Sequence, residues 1–434
     1  MLANIKPRLK QLGLKLKMSK FIARENIGAI ARREASPVHI AHALRKQLLM
    51  SSILRDAKYV EIDGKIFVDP FVPFMPSPYF RKVLENNSVT SLPLKPNYAE
   101  IAITNKCPCD CFHCHVKNTD ETDLSESAIL GAIDDIVSED FPLLIFAGGE
   151  PMSRFNSLLR FVRRASRDLD TRLFTSGVGA SYERLRQLKD AGLSGLYVSI
   201  DHSTPSKHNE LRQHPNAFQR ACNTVASARE LGFYVSVVCC VTQQSLASGD
   251  VFRVVELAEE LGAHSIQLNE IRPVGQALDS NDPTLYLTRD DQRRLIDYYE
   301  TQNASGRPIA VVLPWYNEAP HRFGCTATSG QKAYIDATGE VSPCALLKTS
   351  LGNIETRRFK EIWNEFLCHC SHPVRECIIA DVNEALADVE VVPLPKEETL
   401  ECWSKVANTA PTDLFERLNV THRRDGNYTI AYLE

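Results

Sequence analysis

The sequence predicts an α/β fold of six parallel strands alternating with helices, closed or partly closed as a barrel. From Tyr98 onward, short apolar runs alternate with amphipathic stretches, several of which close on Leu-Gly or Ala-Gly stops. Over 434 residues, 44% apolar and 24% charged positions leave ample material for a core and exclude disorder, collagen and coiled coil. The expected strands are AEIAIT (99–104), LLIFAGG (143–149), TRLFTSG (171–177), GLYVSID (195–201), YVSVVCCV (234–241) and HSIQLNEI (264–271). Helices are expected near 125–139, 153–169, 181–191, 216–232 and 249–261. Such alternation implies right-handed crossovers, and in such barrels chemistry collects at strand C-termini.

Residues 1–96 form a separate N-terminal extension in this reading. The first sixty hold 13 Lys/Arg against 3 Asp/Glu, a net of +10 in a chain whose formal charge is −4, so the remainder carries −14. Ile5, Leu9, Leu12 and Leu16 recur at helical spacing, with Lys6, Lys10, Lys17 and Lys20 elsewhere on the wheel. A basic amphipathic stretch of this kind can lie on an anionic membrane or hold an acidic partner, and equally can pack on its own domain. Asp63-Gly64 turns between two short strands, and DPFVPFMPSPYF follows, where prolines exclude regular helix and aromatics need a surface to cover. No apolar run has the form of a signal peptide or reaches the ~18 residues of a membrane span, so a cytoplasmic chain is expected.

Thirteen cysteines in such a chain point to metal or redox chemistry rather than disulfides, because the cytosol keeps thiols reduced. Four lie within 107–114 and six between 325 and 402. Directly after the first strand, Cys107, Cys111 and Cys114 have the spacing Cys-x3-Cys-x2-Cys. A loop at a barrel mouth can wrap three thiolates around one face of a cubane and leave the fourth iron open. A zinc knuckle drawing on Cys109, His113 or His115 is the bland alternative. The second strand ends in Gly148-Gly149-Glu150-Pro151, where the glycines allow close backbone approach and Glu150 offers a carboxylate to an amino group. Cys109 falls off the ligand spacing, Cys222, Cys239 and Cys240 read as buried hydrophobes, and His202, His208 and His214 read as loop polars.

The cysteine loop followed one helix and one strand later by GGEP resembles the signature of the radical S-adenosylmethionine (radical SAM) superfamily over residues 98–275. That resemblance implies a partial (β/α)6 TIM-like barrel and a SAM-binding [4Fe-4S] cluster on Cys107, Cys111 and Cys114. It implies S-adenosylmethionine held by Gly148, Gly149, Glu150 and Pro151, with Ser176, Ser199 and Asp201 at the ribose or methionine part and Arg212 at the carboxylate. Reductive cleavage to a 5'-deoxyadenosyl radical and hydrogen abstraction from a substrate follow, with a reduced flavodoxin or ferredoxin as electron donor.

Cys325, Gly339 and Cys344 frame a predicted hairpin, GQKAYIDATGEVSPC, before an amphipathic helix ending in FKEIWNEF. This resembles the SPASM and twitch extensions, which carry auxiliary [4Fe-4S] clusters, although a full SPASM pattern has a seven-cysteine set that Cys368, Cys370, Cys377 and Cys402 do not complete. The resemblance implies one auxiliary [4Fe-4S] cluster on Cys325, Cys344, Cys370 and Cys377, with zinc on the same four as the alternative. Expected units are therefore the extension (1–96), a core barrel (97–315), a cluster domain (316–380) and a C-terminal tail (381–434).

The resemblance favours a radical SAM enzyme over a non-enzymatic iron-sulfur carrier or sensor, and over a zinc-stabilised nucleic-acid binder, for which the acidic body is unsuited. No nucleic-acid partner is expected. The basic N-terminus, with Phe67, Phe71, Phe74, Tyr79 and Phe80, leans toward a lipid or membrane-associated precursor and a peripheral place at the inner membrane face, with a ribosomal peptide or protein as the rival substrate.

Overall fold

A computed structural model describes residues 5–31, 44, 54–88, 95–116, 123–277, 280, 282–370, 372–379, 396–407, 412, 420–422 and 428–430. The six expected strands are β3 (Tyr98–Ala102), β4 (Leu143–Ala147), β5 (Asp170–Thr175), β6 (Gly195–Ser199), β7 (Tyr234–Val241) and β8 (Ser265–Glu270). They pair in chain order, all parallel. The intervening helices include Glu126–Ser138, Phe155–Ala165, Tyr182–Asp190, Ala217–Glu230 and Asp250–Glu260.

The sheet is wider than the six strands expected. β9 (Ala310–Val312) extends it beyond β8, and β10 (Lys332–Ile335) returns parallel to β3, with β11 (Val341–Ser342) antiparallel outside it. The C-terminal hairpin expected around 336–339 is this β10–β11 pair, and it is built into the barrel wall rather than hung beside it.

Strand alternation sorts the core into an outer layer and a lumen. Leu144 and Phe146 face the helices, while Leu143 and Ile145 share a lumenal cluster with Tyr197, Tyr234 and Val238. The foot of that lumen is filled from the N-terminal extension. β1 (Val60–Ile62) and β2 (Lys65–Phe67) form the Asp63-Gly64 hairpin, and the following segment inserts Phe67 and Phe74 among those tyrosines. Arg172, fully buried, bonds the carbonyls of Pro70 and Val72, the Tyr197 hydroxyl (2.8 Å) and Asp170 (3.0 Å), and lies over the Phe74 ring at 5.0 Å. A guanidinium keeps its charge when buried, and partners such as these offset the cost of burying it.

This corrects two expectations. Phe67, Phe74 and Phe80 are 1%, 8% and 6% exposed, Phe71 stacks on Tyr98 and Tyr79 donates to the Ser166 carbonyl, so these aromatics cover protein surface and present no membrane face. The proline-rich segment also ends in a helix, Pro78–Ser88, because proline is tolerated at the first helical position, where its missing N–H costs nothing.

α1 (Ile5–Ala31) packs through Leu14, Met18, Phe21 and Ile22 onto Tyr59, Ile66, Met75, Phe80 and Leu84. Gln11 seals that contact with paired bonds to the Tyr59 backbone, both 2.9 Å. The row singled out in the sequence is a different one: Leu9, Leu12 and Leu16 face outward. Much of 381–434 lies outside the described residues, and the Cys402 side chain with it; the helix Lys396–Ala407 seats Trp403 against Phe366.

Candidate active site

The cysteine loop leaves the C-terminal end of β3 and is stitched to the turn after β4. Gly149 N–H donates to the Thr104 carbonyl (2.7 Å) and Glu150 N–H to the Lys106 carbonyl (2.8 Å). Gly148 has φ +142, and a Cβ there would stand 2.5 Å from the Thr104 oxygen; at Gly149 it would stand 2.4 Å from the Lys106 oxygen. The close approach these glycines permit is thus of one loop to the other. Thr104 and Asn105 are further held by the Asp123 carboxylate.

Glu150 does something other than expected. It is fully buried and accepts from Met152 N–H (3.0 Å), Thr175 Oγ1 (2.8 Å), Ser176 N–H (2.7 Å) and Ser176 Oγ (2.5 Å). Its carboxylate is occupied in tying β4 to β5 and capping the turn that begins at Pro151. What the turn leaves to a ligand is its backbone. Ser176 is likewise spent on Glu150, while Ser199 stands half-buried at the end of β6.

Asp201 and Arg212 form a buried ion pair against the loop, with His113 of the loop beside it. Arg212 Nη2 pairs with Asp201 at 2.6 Å and its Nη1 reaches Cys111 Sγ at 3.6 Å. Asp201 accepts from Cys240 N–H (3.0 Å), its own N–H donates to His208 Nδ1 (3.1 Å), and His113 Nε2 lies 3.8 Å away. Burial alone would raise the Asp201 carboxyl, but the Arg212 guanidinium, together with His113, His208 and the Cys240 N–H, outweighs it and holds the group at about 2. Burial pushes the His113 imidazole down to about 4. His208, read in the sequence as a loop polar, is therefore part of this network, and Cys240 brings its sulfur into a ligand-type group with His113 and Asp201 in which all three donor atoms lie within 4.8 Å. His113 turns to Asp201 rather than to the sulfurs, against its place in a zinc knuckle. Cys109 is no bystander in space: it is 3% exposed, and the Cys107 sulfur together with burial pushes its thiol up to about 11, against the opposite pull of Cys111.

A second cysteine group assembles from three distant segments. Cys325 is fixed by its N–H to the Val374 carbonyl (2.8 Å), Cys344 follows β11, and Cys377 lies three residues beyond Val374. Cys325 donates to Cys377, which brings the Cys377 thiol down to about 7, and Cys377 in turn acts on Cys344. Lys332, 6% exposed, sits among Cys344, Cys325 and Glu318, bonding the last at 2.7 Å. Cys370 is not brought to this group. Its sulfur turns back on its own helix to the Phe366 carbonyl (3.6 Å), and only Cys368 acts on it electrostatically.

A profile of the radical SAM superfamily matches residues 101–244, and one of the SPASM iron-sulfur cluster-binding domain matches residues 325–377. The chain belongs to the radical SAM superfamily. An AdoMet-dependent heme synthase of Methanosarcina barkeri is 27% identical over 292 residues, 60% of this chain and 80% of that protein. A PqqA peptide cyclase of Methylocella silvestris is 24% identical over 274 residues, 60% of this chain and 72% of that one. In fold, the chain resembles Streptococcus suis SuiB bound to precursor peptide SuiA, with a TM-score of 0.52 at 16% identity over 66% of this chain and 67% of the other.

Radical SAM enzymes carry a [4Fe-4S] cluster with SAM, and SPASM domains bind auxiliary clusters. The donors present fit both. The mouth offers buried thiols on one loop, and around it buried polar atoms without a protein partner among the described residues: Asn105 Nδ2, His113 Nδ1, Arg212 Nε and Asn269 Oδ1. Four further groups escaped the sequence reading. Glu100 and Tyr334 are register partners on β3 and β10, Lys332 lies two residues before Tyr334, and Glu318 faces Lys332. Burial pushes Glu100 up to about 7, against the pull of Lys332, and Tyr334 feels both Cys114 and Cys344, which places it between the two sulfur groups. The available signal was a charged residue inside an apolar strand, AEIAIT and QKAYI, which an aqueous exterior would explain less well than a functional lumen.

Proposed function

We propose that this radical SAM enzyme cleaves SAM at the Cys107/Cys111/Cys114 loop and abstracts hydrogen from a substrate over the barrel mouth, with one auxiliary cluster at Cys325, Cys344 and Cys377. The observation that carries the reading is the backbone stitching of residues 104–106 to Gly149 and Glu150, which locks a three-thiol loop to a glycine turn at the strand ends. The chemistry such a cluster supplies with SAM is reductive cleavage of the sulfonium to a 5'-deoxyadenosyl radical.

The chain's own residues bind and orient. With Glu150 occupied, the backbone carbonyls of the Gly148-Gly149-Glu150 turn take the amino group of SAM, and Arg212, whose Nε has no protein partner, takes its carboxylate. Asp201 holds that guanidinium in place beside Cys111. Phe67, Phe74, Tyr197 and Tyr234 close the foot of the lumen, keeping water from a reactive species formed above. A reduced flavodoxin or ferredoxin supplies the electron.

For the substrate, a lipid or membrane-associated precursor is supported by the outward apolar row of α1. A ribosomal peptide or protein is the second reading, favoured by the likeness to PqqA peptide cyclases. Among the described residues no helix is long and apolar enough to cross a membrane. The site assignment is tested by anaerobic reconstitution and electron paramagnetic resonance: adding SAM to the reduced protein should change the cluster signal, and Arg212→Met should leave the iron content intact while weakening that response. An unchanged response in Arg212→Met refutes its role.

A further inference from the structure

One side of α1 is committed to the protein and the opposite side is not. Leu14 is 2% exposed in the contact described above, whereas Leu9, Leu12, Leu16 and Ile27 are 60%, 53%, 51% and 66% exposed. These four, with exposed Lys20 and Ala23, recur at steps of three and four residues and so fall on one line along the helix. Four of the six large apolar side chains most exposed among the described residues lie on this line. Exposed Lys10, Lys17 and Arg24 each follow a member of the line by one residue and form a cationic flank at seven-residue intervals, of which Lys17 pairs with Glu61 at 2.8 Å, and exposed Lys20 lies within the line. The helix sequence as a whole holds seven Lys/Arg and one Glu. That Glu25 is turned to the protein side, where it pairs with Arg81 at 2.8 Å.

From this we infer that α1 is an interfacial helix that seats the chain on an anionic lipid surface. The acyl boundary takes the leucine line, and the long aliphatic stems of Lys10, Lys20 and Arg24 reach past it to place their charges among phosphates. A neutral apolar protein groove would leave these cations unmatched, and a purely acidic protein would leave the leucines wet; an anionic bilayer satisfies both. Because the buried face is fixed by Gln11 and the Leu14 contact, the helix is held ready on the body of the enzyme and need not fold at the surface. Each cation at such a surface is worth about fivefold in partitioning. The inference is independent of the SAM chemistry, since vesicle binding can fail while SAM cleavage stands.

The test uses the full chain with vesicles of phosphatidylcholine alone and vesicles also containing phosphatidylglycerol. Flotation with the anionic vesicles only is expected, weakened by salt, and reduced about tenfold or more in Leu12→Asp/Leu16→Asp and in Lys10→Glu/Lys20→Glu. Both sets of positions are exposed, and unchanged thermal midpoints will show that the fold survives. Leu12→Trp should give a blue-shifted emission on anionic vesicles that brominated acyl chains quench. Absence of flotation, flotation indifferent to Leu12→Asp/Leu16→Asp, or an unquenched Trp would overturn the inference. So would a dimer in light scattering that Leu12→Asp/Leu16→Asp dissolves, since the face would then belong to a second copy.

Discussion

The two sulfur groups of this enzyme are built in opposite ways. At the barrel mouth, Cys107, Cys111 and Cys114 come from eight consecutive residues, whose shape is set by local bonds such as Cys114 N–H to the Cys111 carbonyl (3.0 Å) and by a neighbouring glycine turn. In the C-terminal domain, Cys325, Cys344 and Cys377 span 53 positions and meet only because β10 joins β3 and Val374 bridges to Cys325. A contiguous site is a property of its loop. An assembled one is a property of the fold, and it can be lost by a change that touches no sulfur.

The largest expected effect bears on the first half of that contrast. Gly149→Ala sets a Cβ into the Lys106 carbonyl, so the cysteine loop must move, and iron analysis should find the mouth site empty with the auxiliary iron retained. Next, Cys377→Ala should remove about half of the reconstituted iron, whereas Cys370→Ala should remove none, because the Cys370 sulfur faces its own helix. Equal losses in both would mean that the assembled site takes a different set.

Third, Arg172→Met should destabilise the chain by about 3 to 5 kcal/mol in urea unfolding, because the buried Asp170 carboxylate loses its counter-charge and the Val72 carbonyl its donor, yet leave iron content unchanged. The foot of the barrel would then be a matter of stability and the mouth a matter of chemistry. The smallest effect is in pH. Glu100 rises from an ordinary 4.5 to about 7, chiefly through burial, so between those values the folded state holds the extra proton. Stability from this group is full below 4.5 and declines as pH rises to about 7. In the metal-free protein Glu100→Gln should remove that slope, seen as a thermal midpoint that gains on wild type from about pH 5 to about pH 8.

Much of the barrel was legible because its signals are local. The six strands and five helices follow from periodicity and glycine stops, and the first cysteine set follows from spacing. What escaped depends on tertiary placement. Nothing near QKAYI announces that it will pair with a strand more than two hundred residues earlier, so Tyr334 and Lys332 could not be set beside Glu100. Cys370 and Cys377 are equivalent in sequence and differ only in where a helix end sends them. GGEP reveals a turn but not that four donors from β5 and the turn itself claim the Glu150 carboxylate. On α1 the leucine spacing was visible, yet Leu14, Met18, Phe21 and Ile22 offer a second apolar line, and only the docked helix distinguishes the buried line from the outward one.

The most direct measurement of the central claim is 5'-deoxyadenosine formation after anaerobic reconstitution with iron, sulfide, SAM and dithionite. Wild type should form it and Cys111→Ala should not, while Cys377→Ala, altered only at the assembled site, should still cleave SAM. Product formation undiminished in Cys111→Ala, or a wild-type protein that takes zinc and no iron, would contradict the account.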